Sequence, residues 1–330
     1  MMNIDSWRGM ILGMAVTDIE GGAVTMAEIL IESIIENNGD YDPVFSLIGY
    51  LDFYENLTTE QEIIGSMTSR VFQKFLKTLS SNKKIRKEQL LIYGDSLFDI
   101  ADQVYKDSKC LMADISAVYH ALPLAFLRSH LNTDQLATVA RAESRLTHTS
   151  KVSQQSCAAL VLLAANLIDG NSWMNSVQNA AEHKLQLCSL EYAQFTITVF
   201  AIIHSTPNIT FSNHFEVKFT FPVKSALEEG LNADSKAILS RGSYCTDVIK
   251  ASIYFITNTN SFSEAVEASK AFAMPSNYCP IIVGALAGII YGCDEIFFKY
   301  LNPQLSSRIK RVDNLLMKLH NILIKKPKCY

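Results

Sequence analysis

The chain has 330 residues, 48% of them hydrophobic and 19% charged, with 14 glycines and 8 prolines. That excludes an extended disordered protein and any collagen-like or proline-rich tract, and leaves ample chain for a sizeable core. The net charge of −4 gives no electrostatic reason to expect nucleic acid or an anionic membrane as the main partner.

Most of the chain reads as helices. The apolar run Met10 to Val16 is short and ends at Thr17-Asp18. In Val24 to Glu36, Met26, Ala27, Leu30 and Ile34 fall at helical spacing, and Asn37-Asn38-Gly39 supplies the stop. Pro43 to Tyr54 follows with Asp42 as N-cap before a first-position proline. Thr59 to Leu79 opens on a capping-box pattern, Thr59 to Glu62. The basic run Ser80 to Lys87 reads as a solvated connection. Further helices are expected over Asp114 to His130, Thr133 to Ser144, Lys151 to Ile168, Ser172 to His183 and Leu190 to Ile203. Strict alternation in Phe215 to Phe221, closed by Pro222, is strand periodicity, and Ile209 to Phe211 can pair with it. Asp247 to Asn258, Ser261 to Phe272, Ile281 to Tyr291 and Gln304 to Ile324 complete the helices. The expectation is one all-α domain, 1–330, a compact multi-helix bundle with a small β-hairpin insertion near 209–221.

No apolar stretch reaches the ~20 residues of a spanning helix, and Asp5 precedes the first apolar run, unlike a signal peptide. Seven cysteines without CxxC spacing suggest neither a disulfide framework nor a zinc knuckle. A cytoplasmic protein is expected, with neither membrane nor nucleic acid as partner.

Four segments, in order, resemble the ADP-ribosylglycohydrolase family, which includes the dinitrogenase-reductase-activating glycohydrolases and the jellyfish J1 crystallins. Arg8 to Asp18 is similar to the family's opening helix, G-x-x-x-G-x-A-x-G-D. His120-Ala121-Leu122-Pro123-Leu124 is similar to M-R-x-A-P-L, and Ala142 to Ser150 to the stretch containing L-T-H. Ser243 to Asp247, Thr259 to Val266 and Gly284 to Gly288 resemble the C-terminal third. The resemblance implies an all-α bundle around two Mg²⁺, held by T-D-D near the N-terminus and G-G-D-T-D-T near the C-terminus.

The ligands that the resemblance implies are missing. Stepping back from Gly284 places the second motif on Ala273 to Tyr278, so Pro275 and Asn277 replace its carboxylates and Tyr278 its last threonine. Matching Met26-Ala27 places T-D-D on Gly21-Gly22-Ala23. Mg²⁺ needs hard oxygen ligands, and Gly22, Ala23 and Pro275 offer no side-chain oxygen. The family's glycine-rich phosphate loop falls on Asp114 to Ala117, where Asp114 repels a diphosphate, and its arginine becomes His120. No cofactor is expected, the Mg²⁺ pair being absent.

Asp18, Glu20 and His148 remain as candidates for acid–base work, each with a plainer reading as a hydrogen-bonding or capping residue. Asp114, His120 and Tyr244 are candidates for a residual pocket. The small residues Gly284, Gly288 and Gly292 recur every four positions and suit close helix packing. The first expectation is a catalytically inactive, ADP-ribosylglycohydrolase-like pseudoenzyme with a structural or protein-binding role, a crystallin-like one included, its protein partner unknown. The alternatives are a module with weak affinity for ADP-ribose or a nucleotide, or a metal-independent hydrolase with a rebuilt site.

Overall fold

The computed structural model describes residues 4–57, 64–109, 113–183, 222–273 and 278–326. The expected helix at 190–203, the hairpin at 209–221, Pro275 and Asn277 lie outside them. Among the described residues the chain is helical and no sheet forms; Asp114 and Tyr244 make a lone antiparallel bridge.

Helix α1, Ile4–Thr17, has Asp5 in its first turn, where a carboxylate complements the helix dipole. Helix α2, Gly22–Glu36, buries Met26, Ala27, Leu30 and Ile34, the face its periodicity predicts. Helix α3, Pro43–Glu55, starts as predicted: Asp42 accepts the Val44 N–H at 2.8 Å. Helix α4, Ser66–Thr78, begins only after Gly65, whose φ of 83° breaks the longer helix expected from Thr59.

The basic run is a second correction. Helix α5, Lys83–Tyr93, is capped by Asn82, which accepts from the Lys84 and Ile85 N–H groups. Among the run's described side chains Arg86 alone is buried; it donates to both Glu55 carboxylate oxygens, at 2.8 and 2.7 Å, so the run opens a helix anchored by an ion pair while Lys84 and Ile85 stay exposed. Helix α6, Asp99–Asp107, follows. The single helix expected from Asp114 to His130 is instead α7, Ser116–Ala121, running into a 3-10 segment, Leu122–Ser129. Pro123 lacks the N–H that an α-helix needs there.

Helix α8, Thr133–Arg145, carries a capping box between Asn132 and Gln135. Helix α9, Lys151–Ile168, and α10, Trp173–Glu182, follow. Pro222 opens helix α11, Pro222–Leu231. The rest is α12, Cys245–Thr257; α13, Phe262–Phe272; α14, Cys279–Tyr291; α15, Asp294–Lys299; and α16, Pro303–Leu323.

Two helices form the middle of the core. Helix α14 is buried from Cys279 to Ile289. Helix α9 has the length and apolar content of a membrane span, but 78% of that window is buried inside the molecule, so packing explains its character. Helices α1 and α14 touch backbone to backbone. A Cβ on Gly9 would stand 2.0 Å from the Gly288 carbonyl oxygen, and one on Gly13 2.0 Å from that of Gly284. The close packing suggested by Gly284 and Gly288 is therefore present. Gly292 plays another part: it ends α14 at φ 76° with open space around its Cβ position. Helix α16 closes over α1 and α2 through Arg8–Asp313 at 2.7 Å and Arg308–Glu28 at 2.8 Å.

Candidate functional site

Helix α1 delivers Asp18 to the start of α2. The Thr17 hydroxyl turns back to the Gly13 carbonyl at 3.0 Å, and Asp18 Oδ2 accepts the Val24 N–H at 2.9 Å across the turn made by Gly21, φ 77°. Burial raises the Asp18 carboxyl above its usual value, opposed by the Val24 and Gly21 N–H groups and the charge of Arg308. Asp18 is thus committed to the α2 N-terminus. Glu20, two residues on, is exposed.

A cavity of about 160 Å³ gathers residues far apart in sequence: Asp18, Glu20, Ala23, Asp114, His120 and Tyr278. Tyr119, Ser116 and Ser243 also line it. Gly22 is buried beside Ala23 in the first turn of α2. Tyr278 takes the N-cap position of α14, its ring centroid 5.9 Å from that of Tyr119.

Asp114 is fixed from three sides. The Cys245 N–H donates to the Ala113 carbonyl at 2.9 Å, completing the bridge with Tyr244. Asp114 Oδ1 accepts from the Ser116 N–H at 2.9 Å, the Ser116 hydroxyl at 2.5 Å and His148 Nε2 at 3.1 Å. Burial pushes the Asp114 carboxyl up, but His148 and the Ser116 bonds outweigh it and hold it well below the usual carboxylate range. His148 is fully buried, with Nδ1 2.9 Å from the Thr147 hydroxyl.

Serine, histidine and aspartate therefore meet, but not as a nucleophile relay. In such a relay one ring nitrogen takes the serine proton while the other faces the carboxylate. Here His148 Nε2 faces both partners, Asp114 Oδ1 at 3.1 Å and Ser116 Oγ at 3.1 Å, while Nδ1 faces the Thr147 hydroxyl and the Ser116 hydroxyl lies 2.5 Å from the same carboxylate oxygen. Tyr244 occupies the N-cap position of α12, its backbone paired with Asp114, while its neighbour Ser243 reaches the cavity.

His120 is neutral. Burial lowers its pKa to about 3, helped by the charge of His148. Behind it lies Glu143, fully buried, whose Oε1 accepts from the Tyr50 hydroxyl at 2.7 Å. Burial raises Glu143 to about 7, with the Tyr50 bond opposing. Neither Glu143 nor Tyr119 was anticipated from the sequence. Tyr119 adjoins His120 in the recognised segment, and Glu143 lies near the start of the Ala142 to Ser150 stretch, but no spacing marks either.

The donor set does not fit a pair of Mg²⁺. Ala23 presents a methyl group to the cavity, Gly22 has no side chain, and Asp18 serves a helix terminus. Among the described residues no three His, Cys, Asp or Glu side chains come together as metal ligands.

Three comparisons place the chain among known proteins. A solved structure described as an ADP-ribosylglycohydrolase-related protein complex is similar in fold, with a TM-score of 0.62 over 98% of this chain and 99% of that one, at 14% identity. No curated protein matches significantly. The family model for ADP-ribosylglycohydrolase matches residues 22–322, and so the chain belongs to the ADP-ribosylglycohydrolase family.

Proposed function

We propose that this chain is a catalytically inactive member of its family, a single-domain pseudoenzyme of the cytoplasm with a structural or protein-binding role. The observation that carries the reading is the wall of the cavity. The turn that aligns with the metal-binding T-D-D motif is Gly21-Gly22-Ala23, and its Ala23 lines the cavity with a methyl group. Asp18, which also lines it, accepts the Val24 N–H at the start of α2. A water for attack at an anomeric carbon thus has no metal pair to activate it, and Glu20, the carboxylate left without a partner among the described residues, is solvent-exposed.

Size and charge argue against retained ADP-ribose affinity. Pockets for ligands of that class occupy about 300–1,000 Å³, against about 160 Å³ here. Asp18, Glu20 and Asp114 line the cavity, so a diphosphate meets charge of its own sign. The test is calorimetry of Mg²⁺ and of ADP-ribose against the full chain, with release of ADP-ribose from an ADP-ribosylated protein assayed in parallel. Silence in all three is expected. Mg²⁺-dependent turnover overturns the reading, and ADP-ribose binding without turnover replaces it with that of a ligand-binding module.

A further inference from the structure

We propose that the cavity is a socket for the ammonium group of an alkylammonium ion, supplied by a free amine or by a lysine side chain of a partner protein. This rests on the reading above, that the cleft no longer serves a metal pair.

The first observation is an excess of negative charge. Asp18, Glu20 and Asp114 line one small cavity, and no Lys or Arg is found among its described lining residues. Asp114 is matched by His148. Among the described residues Asp18 is hydrogen-bonded only to backbone N–H groups; Arg308 acts on it through its charge but is bonded to Glu28 at 2.8 Å and Thr25 at 3.4 Å. Among the described residues Glu20 has no hydrogen bond or ion pair, and it is exposed at the mouth. A buried carboxylate with no ion pair of its own favours a compact cation that can hydrogen-bond to it.

The second observation is independent of charge. Tyr119 lines the cavity, is 4% exposed, and among the described residues its hydroxyl has no hydrogen-bond partner. A buried polar atom left unpaired is costly, and a phenol oxygen can accept from an ammonium N–H. The Tyr119 and Tyr278 rings, 5.9 Å apart, add π-faces that attract a cation.

The third is size. A cavity near 150 Å³ admits a benzene molecule, about six heavy atoms. The terminal four methylenes and nitrogen of lysine make a similar volume, and about 160 Å³ is present. An ammonium group also brings three donors on a compact centre, suited to acceptors on different walls.

The test titrates the full chain with butylammonium chloride, with butan-1-ol as the neutral control, by calorimetry at low ionic strength. The expected result is saturable one-to-one binding of butylammonium, about tenfold tighter than the alcohol. Glu20→Gln, an exposed change that leaves the fold intact, weakens it about twofold to fivefold. Tyr119→Phe weakens it while leaving the melting temperature unchanged or higher, because it removes an unpaired buried hydroxyl. A purely structural tyrosine would not give that combination. A blocked lysyl tripeptide binding more tightly than butylammonium assigns the ligand to a partner's lysine, and the reverse order to a free amine. Absence of butylammonium binding, equal affinity for the alcohol, or indifference to Glu20→Gln overturns the proposal. ADP-ribose, run as a separate arm, reports on the pseudoenzyme reading alone.

Discussion

His120 Nε2 and Glu143 Oε1 stand 3.4 Å apart, both side chains withdrawn from solvent. Neither is in its ordinary ionisation range: His120 is lowered to about 3 and Glu143 raised to about 7. The protons on the two groups are counted together. Between pH 4.5 and 6.5 it holds one proton when folded, on the glutamic acid. The unfolded chain also holds one there, on the histidine, so stability is flat with pH for this pair.

Glu143→Gln exposes the hidden half of that balance. The folded pKa of His120 is depressed, so its contribution is full above the unfolded value near 6.5 and is lost as pH falls toward 3. For the variant minus the parent, unfolding by urea should show a loss of about 1.4 kcal/mol per pH unit below 6.5, near 2 kcal/mol at pH 5. A difference independent of pH over that interval refutes the pairing.

Asp18 is expected to behave as a cap and not as a ligand. Asp18→Asn keeps an acceptor for the Val24 N–H and relieves a buried charge, so the melting temperature at pH 7 should hold or rise. Asp18→Ala removes the acceptor and should cost about 0.5–2 kcal/mol. Differential scanning calorimetry of both variants decides. Equal losses in Asn and Ala are the contrary result.

Gly288→Ala tests the contact of α1 with α14. The new methyl would sit 2.0 Å from the Gly9 carbonyl oxygen, a rigid backbone atom on a packed helix. Two helices must separate to admit it, at about 3 kcal/mol or more. The expected fall in melting temperature is roughly 6–12 °C. A melting temperature within a degree of the parent contradicts the packing.

Tyr278→Ala should lower the melting temperature by several degrees. Its half-buried ring lines the cavity and packs at 5.9 Å on Tyr119. Losing that pair and its apolar area is worth about 1–2 kcal/mol. Thermal melts of parent and variant, both without ligand, give the answer.

The fold was legible wherever local chemistry and burial agreed. Asp42 before Pro43, Asn132 before Thr133 and Ser261 before Glu264 all cap helices as their residue types imply. Helix α5 was not legible because its inward side chains include Arg86, while Ile85, Leu91 and Ile92 lie exposed; its amphipathic signal is inverted. Of the site, the motif positions Asp18, Ala23, Asp114, His120 and Tyr278 do converge on one cavity. Glu143 gave no sign because its partners Tyr50 and His120 come from other helices, and only the tertiary fold brings a carboxylate and an imidazole together.

The glycine contact between α1 and α14 joins positions about 270 residues apart. At roughly 5–20 residues per second of synthesis, α1 leaves the ribosome about 15–55 seconds before the helix that covers it. Through that interval Trp7, Met10, Ile11 and Met14, all buried in the finished molecule, have no α14 to pack against. The glycine face of α1 thus stays uncovered until α14 has been made.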